Sequence, residues 1–293
     1  MDIMNETITQ EKDTFRSLRI CIFGAGSIAE AIVRGVLAKQ LTEPEQFSMI
    51  NRSNNERLQE LKRKYGVTIE LTSIGKQELL HEADVIVLCM KPKDAAAALH
   101  ELKPLLRPGT LIISVIAGLS LHAIQHILGP IAAVRTMPNT SSTIGLGATA
   151  ICCSQSVDDT QRAIAMIIFE AIGIAVEVEE QHMNIVTGLS GSGPAYLYYV
   201  MEAMMQAGVE GGLTQEVAHD LTVQTVLGAA EMVRRTQEEP AELRRKVTSP
   251  GGTTQAALDV MNSHYMSKTI ISAVHRAAGR SQEMEHQIGR EIE

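Results

Sequence analysis

The apolar run Arg19-Ile20-Cys21-Ile22-Phe23 ends in Gly24-Ala25-Gly26-Ser27-Ile28-Ala29 and continues as Glu30-Ala31-Ile32-Val33. A strand, a tight glycine turn and a helix in that order open a βαβ unit of the kind that binds a dinucleotide. Glycine at 24 and 26 removes the Cβ atoms that would keep phosphates at a distance. The helix N-terminus adds unpaired N–H groups and the positive end of its dipole. The GxGxxA pattern is short, and its weight comes from its position between an apolar strand and a helix. Gly24, Ala25, Gly26, Ser27 and Ile28 are the expected pyrophosphate contacts.

Further apolar runs at 47–50, 84–89, 111–115, 132–136 and 148–152 alternate with helical stretches near 27–38, 54–64, 93–102 and 158–172. This alternation predicts an α/β Rossmann domain with a doubly wound, mostly parallel sheet over 19–182. Val85-Ile86-Val87-Leu88-Cys89 has no polar alternation, as a central parallel strand covered on both faces should lack it. After His182 the strand signals stop, and helices near 194–207, 215–235, 254–262 and 267–288 predict an all-α domain over 183–293. Residues 1–18 read as a loose extension. Helix 194–207 is apolar on most faces, with Tyr196, Leu197, Tyr199, Val200, Met204 and Met205. Such a helix is covered either by its own domain or by another subunit.

With 293 residues, 45% hydrophobic and a net charge of -8, the chain has enough core for two domains and no basic field for a nucleic-acid backbone. No run approaches the roughly 18 apolar residues of a membrane span, and the first 18 residues lack the pattern of a signal peptide. Cys21, Cys89, Cys152 and Cys153 sit in strand-like stretches without metal or redox spacing, so a reduced, cytoplasmic setting is expected and no metal.

The end of the second strand carries Asn51-Arg52-Ser53 where a site for NAD would place an acid for the ribose hydroxyl. A guanidinium at that point faces a 2'-phosphate instead, and Asn51 and Ser53 add hydrogen bonds, which predicts NADPH over NADH. Met90-Lys91-Pro92 and Ile116-Ala117-Gly118 fall at strand ends on the same carboxyl edge. In the helical domain, Thr248-Ser249-Pro250-Gly251-Gly252-Thr253-Thr254 holds more glycine and hydroxyl than a helix cap needs, and such a turn suits a small carboxylate. Gly188-Leu189-Ser190-Gly191-Ser192-Gly193-Pro194 reads as a helix start.

Together Phe23–Gly26, Asn51–Ser53, Met90–Pro92, Arg135–Thr140, Leu189–Tyr196 and Thr248–Thr254 resemble the pyrroline-5-carboxylate reductase family, in order from about Arg19 to about Arg280. The resemblance implies the last step of proline biosynthesis, NADPH-dependent reduction of the C=N bond of 1-pyrroline-5-carboxylate. It implies a helical dimerisation domain, a homodimer or a ring of dimers, and an active site formed where the cofactor meets the partner's helical loop. It also implies cofactor contacts at Met90, Lys91, Pro92, Ala117 and Asn139. Thr254 would be the catalytic residue, hydrogen-bonded to the ring nitrogen, with Ser249, Gly251, Gly252, Thr253 and Thr254 around the substrate carboxylate. A non-catalytic NADP-binding sensor and a reductase of a related cyclic imine are the alternative readings. A β-hydroxyacid dehydrogenase would need a catalytic lysine, for which the helical domain offers Lys246 and Lys268 outside any suitable motif.

Overall fold

The computed structural model describes residues 14–292. The chain forms two compact units: one runs to Gly191 and resumes at Arg276, and the other is Ser192–His275.

The first unit is built on an eight-stranded sheet: β1 (Ile20–Phe23), β2 (Phe47–Ile50), β3 (Thr68–Ile69), β4 (Val85–Leu88), β5 (Leu111–Ser114), β6 (Ala132–Met137), β7 (Gly147–Cys153) and β8 (Gly173–Glu177). Their spatial order is β3-β2-β1-β4-β5-β6-β7-β8. Neighbours run parallel except β6 and β7, which pair antiparallel. All six expected strands are present, and β3, β8 and the reversal at β7 are additions to the sequence reading. Every residue of β4 and β5 is buried, because helices cover both faces of the sheet there.

Successive side chains of a strand point to opposite faces, and the core divides accordingly. Ile20, Ile22, Val85 and Val87 pack with helices Ser27–Ala38 and Asp159–Glu170 in one layer. Cys21, Ile86, Leu88 and Ile112 pack with helices Ala95–Leu102 and Leu121–Leu128 in the other. The four cysteines are free, and burial pushes the thiols of Cys21 and Cys89 up to about 12.

Three boundaries differ from the sequence reading, and one of them is the domain boundary itself, which falls after Gly191 and not after His182. Residues 14–17 are helical and Phe15 is fully buried in the first layer, so the expected extension contributes to the core at its end. Residues 1–13 of that expectation lie outside the described residues. The last helix, Met266–Ile292, begins in the second unit and returns to the first, where Ile288 and Ile292 join the second core layer. The physical anchor is Arg135 on β6, only 3% exposed, which pairs with Glu180 at 3.0 Å and with Glu285 at 3.2 Å. The Asn184 amide donates to Glu285 at 2.9 Å, and the Ser281 hydroxyl donates to Asn184 at 2.7 Å. A buried guanidinium needs such a set of partners, and all of them but Glu180 come from segments the sequence reading gave to the other domain.

The second unit consists of helices Gly193–Glu210, Gln215–Thr236, Pro240–Lys246 and Thr253–Ser263 and the start of Met266–Ile292. Among its residues only Ala218 and Thr222 are buried. Leu197, Tyr199, Leu221, Leu227, Val260 and Ile271 stand exposed. Helix Gly193–Glu210 is therefore not covered by its own unit. Among the described residues no helix is long and apolar enough to cross a membrane.

Candidate active site

The carboxyl ends of β1, β2 and β4 open on a cleft of about 950 Å³ in the first unit. The chain order of the sheet reverses between β1 and β4, and open α/β sheets bind ligands in the crevice beyond such a point. The two glycines of the first turn are required for different reasons. Gly24 has φ +120, and a Cβ there would lie 2.3 Å from the Cys89 carbonyl oxygen, so the packing of β1 against the β4 loop excludes a side chain. Gly26 has an ordinary φ of -80, and a Cβ there would meet no atom within 4 Å. Nothing in the protein's own packing demands glycine at 26; the space it leaves lies at the N-terminus of helix Ser27–Ala38, which no side chain caps. An uncapped helix start behind an open glycine fits a pyrophosphate.

The turn is held from below by charge. Arg57 donates to the Ala25 carbonyl at 3.3 Å and pairs with Glu30. Glu30 also receives Lys64 at 2.8 Å and the Tyr65 hydroxyl at 2.7 Å. Lys64, helped by Tyr65 and Arg57 and opposed by partial burial, holds the Glu30 carboxyl down to about 2.

Of the expected cofactor residues, Gly24, Ala25, Gly26, Asn51, Arg52, Ser53, Met90 and Lys91 line this cleft. Ser27 is the exposed first residue of the helix, and Ile28 turns toward the core. Pro92 opens the single turn Pro92–Asp94 at the cleft's edge. Ala117 and Asn139 lie outside the lining. Asn139 braces two segments, its amide donating to the Ser190 carbonyl at 3.1 Å and its oxygen accepting from the Ala148 N–H at 3.2 Å.

Sequence reasoning missed Arg57 and Lys76, which line the cleft from two other helices, and Lys93, which follows Pro92 on the turn Pro92–Asp94. Lys76 donates to the Asn51 carbonyl at 2.8 Å and so fixes the end of β2. With Arg52 and Lys91 they give the cleft five cationic side chains against two carboxylates, Asp94 and Glu101. Arg52 is 80% exposed at the side chain, and its guanidinium lies 2.9 Å from the Asp94 carboxylate. This balance suits an anion carried near the end of β2.

In the second unit, Ser249, Gly251, Gly252, Thr253 and Thr254 fall on one turn leading into helix Thr253–Ser263. Gly251 has φ +72, a conformation glycine adopts without strain. The Gly252 N–H closes the turn on the Ser249 carbonyl at 3.0 Å, and a Cβ at 252 would lie 2.5 Å from the Ser249 hydroxyl. Gly252 is the N-cap and no side chain caps the helix, so its first N–H groups are left without a side-chain partner beside the Ser249 hydroxyl, and Thr253 and Thr254 are the first two residues of the helix. The two lysines of the helical domain are engaged otherwise: Lys246 pairs with Glu238, and Lys268 lies 5.2 Å from the centre of the Tyr265 ring.

Comparison with known proteins places these features among relatives. A family model described as pyrroline-5-carboxylate reductase dimerisation matches residues 180–284, and one described as NADP oxidoreductase, coenzyme F420-dependent, matches residues 19–118. The chain is 41% identical to pyrroline-5-carboxylate reductase 2 of Bacillus subtilis over 270 residues, covering 92% of this chain and 96% of the relative. It is 40% identical over 269 residues to the pyrroline-5-carboxylate reductase of Synechocystis, covering 92% and 98%. Among solved structures, a pyrroline-5-carboxylate reductase from Coxiella burnetii superposes with a TM-score of 0.85 at 37% identity, covering 92% of this chain and 98% of that one. The Plasmodium falciparum pyrroline carboxylate reductase with NADP bound gives a TM-score of 0.82 at 28% identity, covering 92% and 99%.

Proposed function

The chain belongs to the pyrroline-5-carboxylate reductase family, and from that premise we propose that it reduces the C=N bond of 1-pyrroline-5-carboxylate to give L-proline, with NADPH as reductant. The observation that carries the reading is the turn at Ser249–Thr254, whose uncapped helix start beside the Ser249 hydroxyl would suit a small carboxylate. The cleft of the first unit supports a dinucleotide, because Gly26 leaves open the space that a pyrophosphate requires.

Bound NADPH supplies the hydride, and the protein's task is to hold and orient. Backbone groups of Gly24, Ala25, Gly26, Ser27 and Ile28 would hold the pyrophosphate. Arg52, with Asn51 and Ser53, would take the 2'-phosphate, and Lys76 keeps that corner in place through the Asn51 carbonyl. Met90, Lys91 and Pro92 would flank the cofactor from the end of β4. On the substrate side, Ser249 and the N–H groups of Thr253 and Thr254 would hold the carboxylate, and the Thr254 hydroxyl would hydrogen-bond the ring nitrogen. A protonated imine is already a good electrophile, so positioning does most of the work and no side-chain nucleophile is required. The exposed apolar side chains of the helical unit support a homodimer formed through that unit.

The test separates the two halves. Thr254→Ala should lower kcat while leaving NADPH affinity within about threefold of wild type, since its hydroxyl serves the substrate. Unchanged turnover would remove Thr254 from the reaction. Wild-type turnover with NADPH above that with NADH is the result expected from Arg52, and faster turnover with NADH would keep the reductase and discard the arginine's role.

A further inference from the structure

We infer that Asp94 sets how strongly the cleft prefers a 2'-phosphate over a 2'-hydroxyl, by holding Arg52 when no phosphate is there. The inference rests on the reading of Arg52 as the 2'-phosphate residue and adds to it a second, opposing group.

The two members of the pair are built differently. Arg52 extends from a loop with most of its side chain in solvent, so it can reorient at little cost. Asp94 is more enclosed, with 30% of its side chain exposed, and its N–H is pinned to the Lys91 carbonyl at 2.9 Å. It stands at the start of helix Ala95–Leu102, yet its carboxylate does not cap that helix. It accepts instead from the guanidinium of Arg52, another residue of the cleft lining, at 2.9 Å. An aspartate at a helix start usually serves the helix; here the carboxylate is turned to the cofactor cleft instead.

The consequence follows from charge. A 2'-phosphate approaching Arg52 must displace a carboxylate already paired with it, and it then sits close to that carboxylate with like charge. A 2'-hydroxyl does neither, and can donate a hydrogen bond to the same carboxylate. Asp94 therefore lowers the affinity for the phosphorylated dinucleotide without lowering it for the unphosphorylated one. It moderates a preference that Arg52 creates and eases release of the oxidised, phosphorylated product.

The experiment measures binding of 2',5'-ADP and of 5'-AMP to the full chain by isothermal titration, in wild type, Asp94→Asn, Arg52→Gln and the double variant. Asparagine has the same shape, and no cap is lost, so each protein is first matched by its melting temperature; Asp94→Ser is the second variant. The expected result is that Asp94→Asn binds 2',5'-ADP about three- to tenfold tighter, with 5'-AMP no tighter, and that the gain shrinks at high salt and in the Arg52→Gln background. If wild type prefers 2',5'-ADP through Arg52 but neither Asp94 variant tightens it, the inference about Asp94 is overturned alone. If wild type binds both probes equally and Arg52→Gln alters neither, the reading of Arg52 falls and this inference with it.

Discussion

Gly26 offers a substitution that separates folding from cofactor binding. Its φ of -80 is open to any residue, and a Cβ there would meet no protein atom within 4 Å. Gly26→Ala forfeits some N-cap preference, worth roughly 0.5–1 kcal/mol, and gains a similar amount by restricting the unfolded chain. Stability should stay within about 1 kcal/mol of wild type, a shift of only a few degrees in Tm. On the proposed reading, however, the methyl group enters the space that the pyrophosphate would take. Loss of two charge-assisted hydrogen bonds to it, at about 1.5 kcal/mol or more each, amounts to about 3 kcal/mol and a Kd raised at least about 100-fold. Gly24→Ala is the contrasting control, because its Cβ would lie 2.3 Å from the Cys89 carbonyl and it should destabilise the fold itself. Thermal melts and NADPH fluorescence titrations on both variants decide the matter. A Gly26→Ala protein that melts normally and binds NADPH within threefold of wild type would refute the argument that this open space is the pyrophosphate site.

Three further outcomes follow from the geometry. Glu30, held down to about 2, contributes stability that is present above its unfolded value near 4.5 and is lost as pH falls toward 2. The stability gap between wild type and Glu30→Gln, on the order of 1–2 kcal/mol at neutral pH once solvent screening is allowed for, should close as denaturation is followed below about pH 4.5. Truncating Arg135 to alanine leaves Glu180 and Glu285 without their shared partner and should cost about 3–5 kcal/mol by urea denaturation, whereas Arg135→Met with Glu285→Leu should recover much of the loss. Cys21 and Cys89, whose thiols burial pushes up to about 12, should resist a thiol-labelling reagent at pH 8 in the native protein and react on unfolding; rapid native labelling would contradict the packing.

What the sequence made legible was local. The strand, the GxGxxA turn and the helix after it are contiguous, and so is the Ser249–Thr254 turn, so residue spacing alone exposed both. The continuous apolar run of β4 marked a central strand for the same reason. β3 escaped because two residues carry no period, and β8 because its outward residues Ile174 and Val176 are themselves apolar, leaving no alternation to see. Helix Ser73–Glu82 buries only Gly75 and Leu80, too few to mark a face. The cleft's other cations, Arg57, Lys76 and Lys93, lie on surface segments with no local pattern to mark them, and only the fold brings them to one cleft. The return of the last helix to the first unit depends on Arg135 meeting Glu285, 150 positions away, and no local pattern records such a pairing.

The central claim is tested most directly by one assay of the full chain with 1-pyrroline-5-carboxylate, following the loss of NADPH absorbance and the appearance of proline in the same samples. The account predicts that both proceed together in equal amounts and that omission of the imine stops NADPH oxidation. A protein that binds NADPH but forms no proline would contradict it and leave a dinucleotide-binding protein without this reaction.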